Sequence, residues 1–292
     1  MLGFEPSRIQ EFVWDETVDG TDHQLPWEDD VNGMTALFDT ESGRSYLGIS
    51  SVPTILHVMA HTSPQLRQAV EERKRHATSS LFLPGSVDID PMAGHPIMDE
   101  SSLIDAYFRI VHVAVPMIDE ITFRQCFAQG GATGKANGPW LALLNMVLTL
   151  GYIALHNDGQ AGHAYFADRA SEHLNMSCFA TGHIYTLQAL IIFGGYYLHF
   201  LNKPNMASAV MGAAHRMALA MGLHHSTTTS QNASAGARRM AETRTRTWWC
   251  LFCLDTWAGT TLGRPLSGAG GPANLAIPST LAVGELVRFS TT

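Results

Sequence analysis

The sequence predicts an all-α protein: a bundle of antiparallel helical hairpins behind a mostly irregular, acidic N-terminal leader. Three observations carry this. From Met98 onward, apolar residues recur at three- and four-residue steps, the period of a helix with one buried face. The runs are joined by short polar pieces, "HNDGQ", "SCFATG" and "NKPN", and short joints force neighbouring helices to run antiparallel. "GYIAL" at 151 and "GYYLH" at 195 each end the first helix of a pair, a weak repeat of hairpins with too few copies for a solenoid.

The elements follow in order. Residues 1–32 hold nine acids (Glu5, Glu11, Asp15, Glu16, Asp19, Asp22, Glu28, Asp29, Asp30) against Arg8, with Phe4, Phe12, Trp14 and Trp27 among them. That composition fits a flexible leader, or an acidic-aromatic segment that recruits transcription machinery. Residues 33–63 read as a short apolar piece, a turn at 41–43, a second short piece and a helix capped by Ser50 or Ser51. Residues 77–100 read as a loop. A helix then ends before Pro116, and a second short one starts near Asp119. Four helices are expected at about 139–156, 161–176, 181–201 and 205–222. The first is apolar nearly all round, which marks it as central. A His-, Thr- and Ser-rich loop (223–237) leads to a last long helix at about 238–262, and a flexible tail covers 269–292.

Bulk properties narrow the function. Aliphatic and aromatic residues make up 46 % of the 292 and charged residues 15 %, a globular composition. A net charge of −8 repels duplex DNA unless a basic patch intervenes, and "EERKRH" (71–76) reads as a solvated helix end. No stretch of eighteen apolar residues is expected to span a membrane.

Specific chemistries are tested residue by residue. His57 and His61 have the spacing of a helical metal pair, but Val58 stands where a metalloprotease needs Glu. Cys250 and Cys253 form C-x-x-C inside a helical pattern, without the second ligand pair of a zinc site or the strand of a thioredoxin motif. "AQGGATGKANGP" (128–139) departs from a phosphate loop at Gln129 and Ala136. His156, His173, His199 and His215 lie within or at the ends of helices; catalysis would need two histidines to converge with a carboxylate in a cleft. No catalytic or metal set emerges, and no cofactor is expected for this chain.

The most distinctive stretch is "TWWCLFCLDTWAGTTLGRPLS" (247–267). Trp248, Leu251, Phe252, Asp255, Thr256 and Gly259 lie along one side of a helix. Adjacent residues on a helix point about 100° apart, so Trp248 and Trp249 can pack on different neighbours. Buried Asp255 needs a partner, with Arg264, Arg216 or Arg244 as candidates. Gly263, Arg264 and Pro265 make a helix stop.

These residues resemble the regulatory domain of fungal-specific transcription factors, the middle homology region that usually follows a binuclear zinc cluster. "SYLGISS" (45–51) is similar to its entry segment. Tyr107, Phe108, His112, Pro116 and Phe123 match its aromatic helix. Gly212, Ala214, Arg216, Ala218, Gly222, Leu223 and His224 match its G-x-A-x-R-x-A-x-x-x-G-L-H helix. Glu242, Arg244, Arg246, Trp248, Trp249, Asp255, Gly263, Arg264 and Pro265 match its Arg-Trp-Trp block, with Thr245 in place of the middle Arg. The resemblance spans about 33–268 and implies a structural role for these residues. It implies a nuclear, non-enzymatic effector domain that controls RNA polymerase II transcription. The implied partners are other regulators or a second copy, and the implied ligand is an apolar effector. Met206, Met211, Met217 and Met221 offer an adaptable wall or simple core packing. In the family a six-cysteine cluster holds zinc and reads DNA. Four cysteines cannot form one, so neither role transfers to a residue here. The family's domain usually continues beyond Gly-Arg-Pro, so the domain is expected to be C-terminally shortened. Two other functions fit the residues: a DNA-free modulator that pairs with a full-length relative, and a regulator-like scaffold recruited to bind or transform a small molecule.

Overall fold

A computed structural model of the chain describes residues 99–129, 138–156, 162–180, 182–225 and 234–266, with short runs between 36 and 69. The acidic leader, His57 and His61, the 71–76 charge run, the 77–98 loop, most of the 128–139 loop and the tail lie outside the described residues. The chain divides into two compact units: residues 88–255 with 267–292, and residues 1–87 with 256–266.

Among its described residues, the larger unit is built of helices joined by short irregular segments. Helix α1 (Glu100–Ala106) is capped by Asp99, whose carboxylate accepts from the Ser101 N–H, and it widens into a π turn at Tyr107–Val111. Helix α2 is Glu120–Ala128, α3 is Gly138–Leu155 and α4 is Gly162–Ser171. A 3-10 turn at Met176–Ala180 leads to α5 (Ile184–Ile192), a second π turn (Phe193–Tyr197) and short α6 (Leu198–Phe200). Helices α7 (Pro204–Ala220) and α8 (Ala235–Leu262) complete the order.

Helix α3 is the core, as its apolar sequence predicts. It packs against α1, the first π turn, α4 and α5. Leu143, Met146, Val147 and Leu148 are buried; the Asn145 amide and the Thr149 hydroxyl donate to carbonyls four residues earlier, Leu141 and Asn145, while the Asn145 Oδ1 has no hydrogen-bond partner among the described residues. Gly138 lies near His173 at one end of the α3–α4 pair, and Tyr152 abuts Gly162 at the other, so the two helices are an antiparallel hairpin.

Four differences from the sequence reading have physical causes. Helix α3 does have the length and apolarity of a membrane span, with a mean hydropathy of 1.6 over 18 residues, but 67 % of it is buried inside the bundle. The expected 181–201 helix is interrupted at Phe193–Tyr197, where Gly194 admits Val210 and Met211 and Gly195 admits Leu254. The expected 161–176 helix ends at Ser171. Helix α8 begins at Ala235, earlier than expected, because the Ser234 hydroxyl accepts from the Ala237 N–H and supplies a cap.

In the smaller unit, β1 (Ala36–Leu37) pairs antiparallel with β2 (Tyr46–Leu47), Ala36 opposite Leu47; the expected turn at 41–43 lies outside the described residues. Helical backbone follows Ser51, whose carbonyl accepts from the Ile55 N–H at 2.9 Å. The last turns of α8 belong to this unit and end as the Gly-Arg-Pro pattern predicts. Gly263 has φ 62°, and the Arg264 N–H reaches back to the Gly259 carbonyl at 2.9 Å, closing a Schellman motif.

Candidate functional site

Three stretches distant in sequence come together, the third being the middle of α8. The first comes from α1, its π turn and α2. A π turn adds one residue to the repeat and so re-aims the side chains beyond it. Here it buries Tyr107 and Phe108, with the His112 N–H closing onto the Tyr107 carbonyl at 2.9 Å. Phe108 lies edge-on to His112 at 5.0 Å and to Phe123 at 5.5 Å. Pro116 sits half-buried in the irregular segment that follows.

The second stretch is the end of α7. Gly222 has φ 69°, and the Leu223 N–H bonds the Ala218 carbonyl at 3.0 Å, a second Schellman stop that turns His224 back toward the bundle. Gly212 is half-buried on this helix, and Arg216 is exposed.

The third is α8 itself. Arg244 donates to the Met221 carbonyl at 2.7 Å, tying α8 to the end of α7. Arg246 is 5 % exposed and pairs with Glu242 through Nε at 2.7 Å, while its two terminal nitrogens have no hydrogen-bond partner among the described residues. Thr247 accepts from the Gln188 amide of α5 at 3.2 Å. Trp248 is buried against His215, at 5.8 Å between ring centroids, and His224, at 5.9 Å. Trp249 is half-buried and edge-on to Phe252 of its own helix. Trp248 thus packs on rings of α7 and of the turn that follows it, whereas the Trp249–Phe252 ring contact lies within α8.

Electrostatics mark this seam as a packing site. Burial pushes His112 down to about 4, and the Arg246 charge pushes the same way. Burial pushes the Cys250 thiol up to about 12, the opposite of a reactive or metal-binding thiolate. Burial raises Tyr107 as well. His215 is lowered by burial against the opposing field of Asp255, which is itself 6 % exposed. His215 and His224 both lie against the Trp248 ring, and His215, 3 % exposed, also feels the Asp255 charge. No group of three His, Cys, Asp or Glu side chains suited to a metal occurs among the described residues.

Residues 104–270 match the family described as the fungal specific transcription factor domain. The chain belongs to this family. The domain is 30 % identical over 167 residues to the lactose regulatory protein of Kluyveromyces lactis, covering 56 % of this chain and 18 % of that protein. It is 28 % identical over 245 residues to cutinase transcription factor 1 alpha of Fusarium vanettenii, covering 78 % and 26 %. A negative regulator of pleiotropic drug resistance from Candida glabrata is 27 % identical over 182 residues, covering 55 % and 17 %. The chain thus spans about a quarter or less of the length of these three relatives. No solved structure matches it. The relatives are transcription regulators, and a transcription-regulatory role follows for the domain.

Sequence reasoning missed the residues that tie the other helices to α8. Gln188 is the main one: it is 1 % exposed and donates to both the Met117 carbonyl and Thr247. Its signal was present as the single amide in the apolar run "IYTLQALII". The buried His163–Tyr197 hydrogen bond, 3.0 Å long, left no pattern in the sequence.

Proposed function

We propose that the domain is the regulatory part of a nuclear transcription regulator of RNA polymerase II genes, with α8 as the element that integrates its helices. The convergence of the α1, α7 and α8 motif residues on one seam supports this reading: His112 feels the Arg246 charge, and His215 and His224 lie against Trp248. Zinc binding and DNA contact are assigned to a six-cysteine cluster that this chain's four cysteines do not form. The domain reaches promoters through such a segment, or through another regulator or a second copy that carries it. The residues proposed to hold the seam are Tyr107, Phe108, His112, Phe123, Gly222, His224, Arg244, Arg246, Trp248 and Asp255.

The test is a fusion of the full chain to a heterologous DNA-binding domain, read on a chromosomal reporter in a fungal host. The fusion is expected to change reporter output, and Trp248→Ala to abolish the change. A nuclear, folded fusion that leaves the reporter at the level of the DNA-binding domain alone would overturn the reading.

A further inference from the structure

A cleft of about 80 Å³ lies among the first turns of α2, α5 and α8. Its apolar walls are Ile118, Phe123, Ile184 and Met240. Its polar groups are Asp119, Thr122, Tyr185, Gln188, Arg239 and Thr243.

Those polar groups have a definite sense. Both bonds that the Gln188 Nε2 can donate are already used, by the Met117 carbonyl at 2.7 Å and Thr247 at 3.2 Å. Its Oε1 is buried without a hydrogen-bond partner among the described residues. Leaving a buried carbonyl without a partner is unfavourable, so the site asks for a donor. Asp119 is an acceptor too: it takes the Thr122 hydroxyl at 2.6 Å and has capacity left.

A cation already stands at this seat, but loosely. Arg239 reaches Asp119 at 3.7 Å, well beyond the distance of a tight charge-assisted bond, and its side chain is half exposed. Arg239 belongs to the start of α8, where residues 235–240 are all exposed. The first turns of α8 are thus held over the cleft by a long ion pair and little buried surface.

We propose that this cleft binds the primary ammonium group of a small organic amine, which takes the place of Arg239 beside Asp119 and donates to the Gln188 carbonyl. The volume suits a head group and a few carbons, with the rest of the ligand outside. Occupancy joins α2, α5 and α8 at their first turns, and so couples the amine to the seam that begins at Glu242. This deepens the regulatory reading and rests on it only for the consequence, not for the binding.

The experiment uses the purified full chain with n-butylammonium as probe, and 1-butanol and butyrate as neutral and anionic controls of the same length. Ligand-observed NMR titration gives affinity, and amide exchange over residues 235–243 gives the response of α8. Butylammonium is expected to bind and to slow that exchange, while the controls do neither. Asp119→Asn is expected to weaken binding by about tenfold or more, as loss of a partly buried charge pair would. Arg239→Ala is expected to tighten binding, because it removes the competitor. Binding of butanol equal to that of butylammonium, indifference to Asp119→Asn, or weaker binding by Arg239→Ala would each overturn the proposal, provided both variants retain the wild-type helical signal and thermal transition. A silent reporter fusion with intact amine binding would instead count against the regulatory reading alone.

Discussion

Gly151 of α3 lies against the backbone of Leu103 in α1: a β-carbon at position 151 would overlap the Leu103 carbonyl oxygen and stand 2.8 Å from its carbonyl carbon. The obstacle is main chain inside a capped helix, which cannot rotate away as a side chain can. Gly151→Ala is therefore expected to force α1 off α3 and to cost about 1–3 kcal/mol or more, the range for overpacking a core. Urea unfolding measures this. Gly236→Ala, at an exposed site where the nearest atom is the Ser234 hydroxyl at 4.0 Å, is the control and should be neutral or slightly stabilising. Equal stability of the two variants would mean that α1 does not sit on α3 in this way.

His112 gives the domain an acid-side instability. Its folded pKa is near 4 against an ordinary 6.5, so the folded state holds it neutral and the unfolded state binds the proton first. Its contribution is complete above about pH 6.5 and is lost as pH falls toward 4, a loss of about 3 kcal/mol at 1.36 kcal/mol per unit. His163, His183 and His215 are also lowered by burial and act in the same direction. His112→Asn should flatten the stability–pH curve through this window. A variant that keeps the wild-type slope would show that His112 is not buried as a neutral ring.

Glu242 and Arg246 make a pair whose two members should respond unequally. The guanidinium is 5 % exposed and the carboxylate 36 %. Removing the carboxylate leaves a buried charge without its counter-ion, whereas replacing the guanidinium by an apolar chain removes the charge along with two unbonded terminal nitrogens. Glu242→Gln is therefore expected to cost more stability than Arg246→Met, which should come out near neutral at about 1 kcal/mol or less. Thermal unfolding ranks them. The reverse order would mean that the Arg246 fork makes bonds essential to the fold.

Much of this was legible in the sequence, for reasons that differ by element. Helix α3 announced itself because an apolar run between glycine-rich joints has few other places to go. The stop at Gly263 was legible because left-handed backbone favours one residue type; Gly222, named in the sequence only as a motif match, adopts the same conformation. The π turns were not. In the second, Gly194 lies close to α7 and Gly195 close to α8, local approaches that sequence periodicity averages out. The amine cleft was invisible for a related reason. Asp119, Tyr185, Gln188 and Arg239 are ordinary helix-start residues in sequence, and only the packing of three helix starts brings them together.

Arg244 distinguishes a clamp from a solvent-facing contact. Its terminal nitrogen donates to the Met221 carbonyl at 2.7 Å, at the C-terminal end of α7, where a cation also meets the negative end of the helix dipole. The same turn carries Gly222 and His224, and His224 rests on Trp248. Losing the bond therefore releases both the end of α7 and one face of the indole. Arg244→Ala is expected to lower stability by about 1.5–3 kcal/mol, the range for a hydrogen bond to a charged group. It should also raise tryptophan solvent exposure, read by acrylamide quenching against a Trp248→Phe background. Arg216→Ala is the comparison, because Arg216 is exposed on α7 and its loss should change stability by about 0.5 kcal/mol or less. If the two arginines behave alike, α7 and α8 are not joined at Met221, and the seam that links the three motif stretches does not exist as a unit.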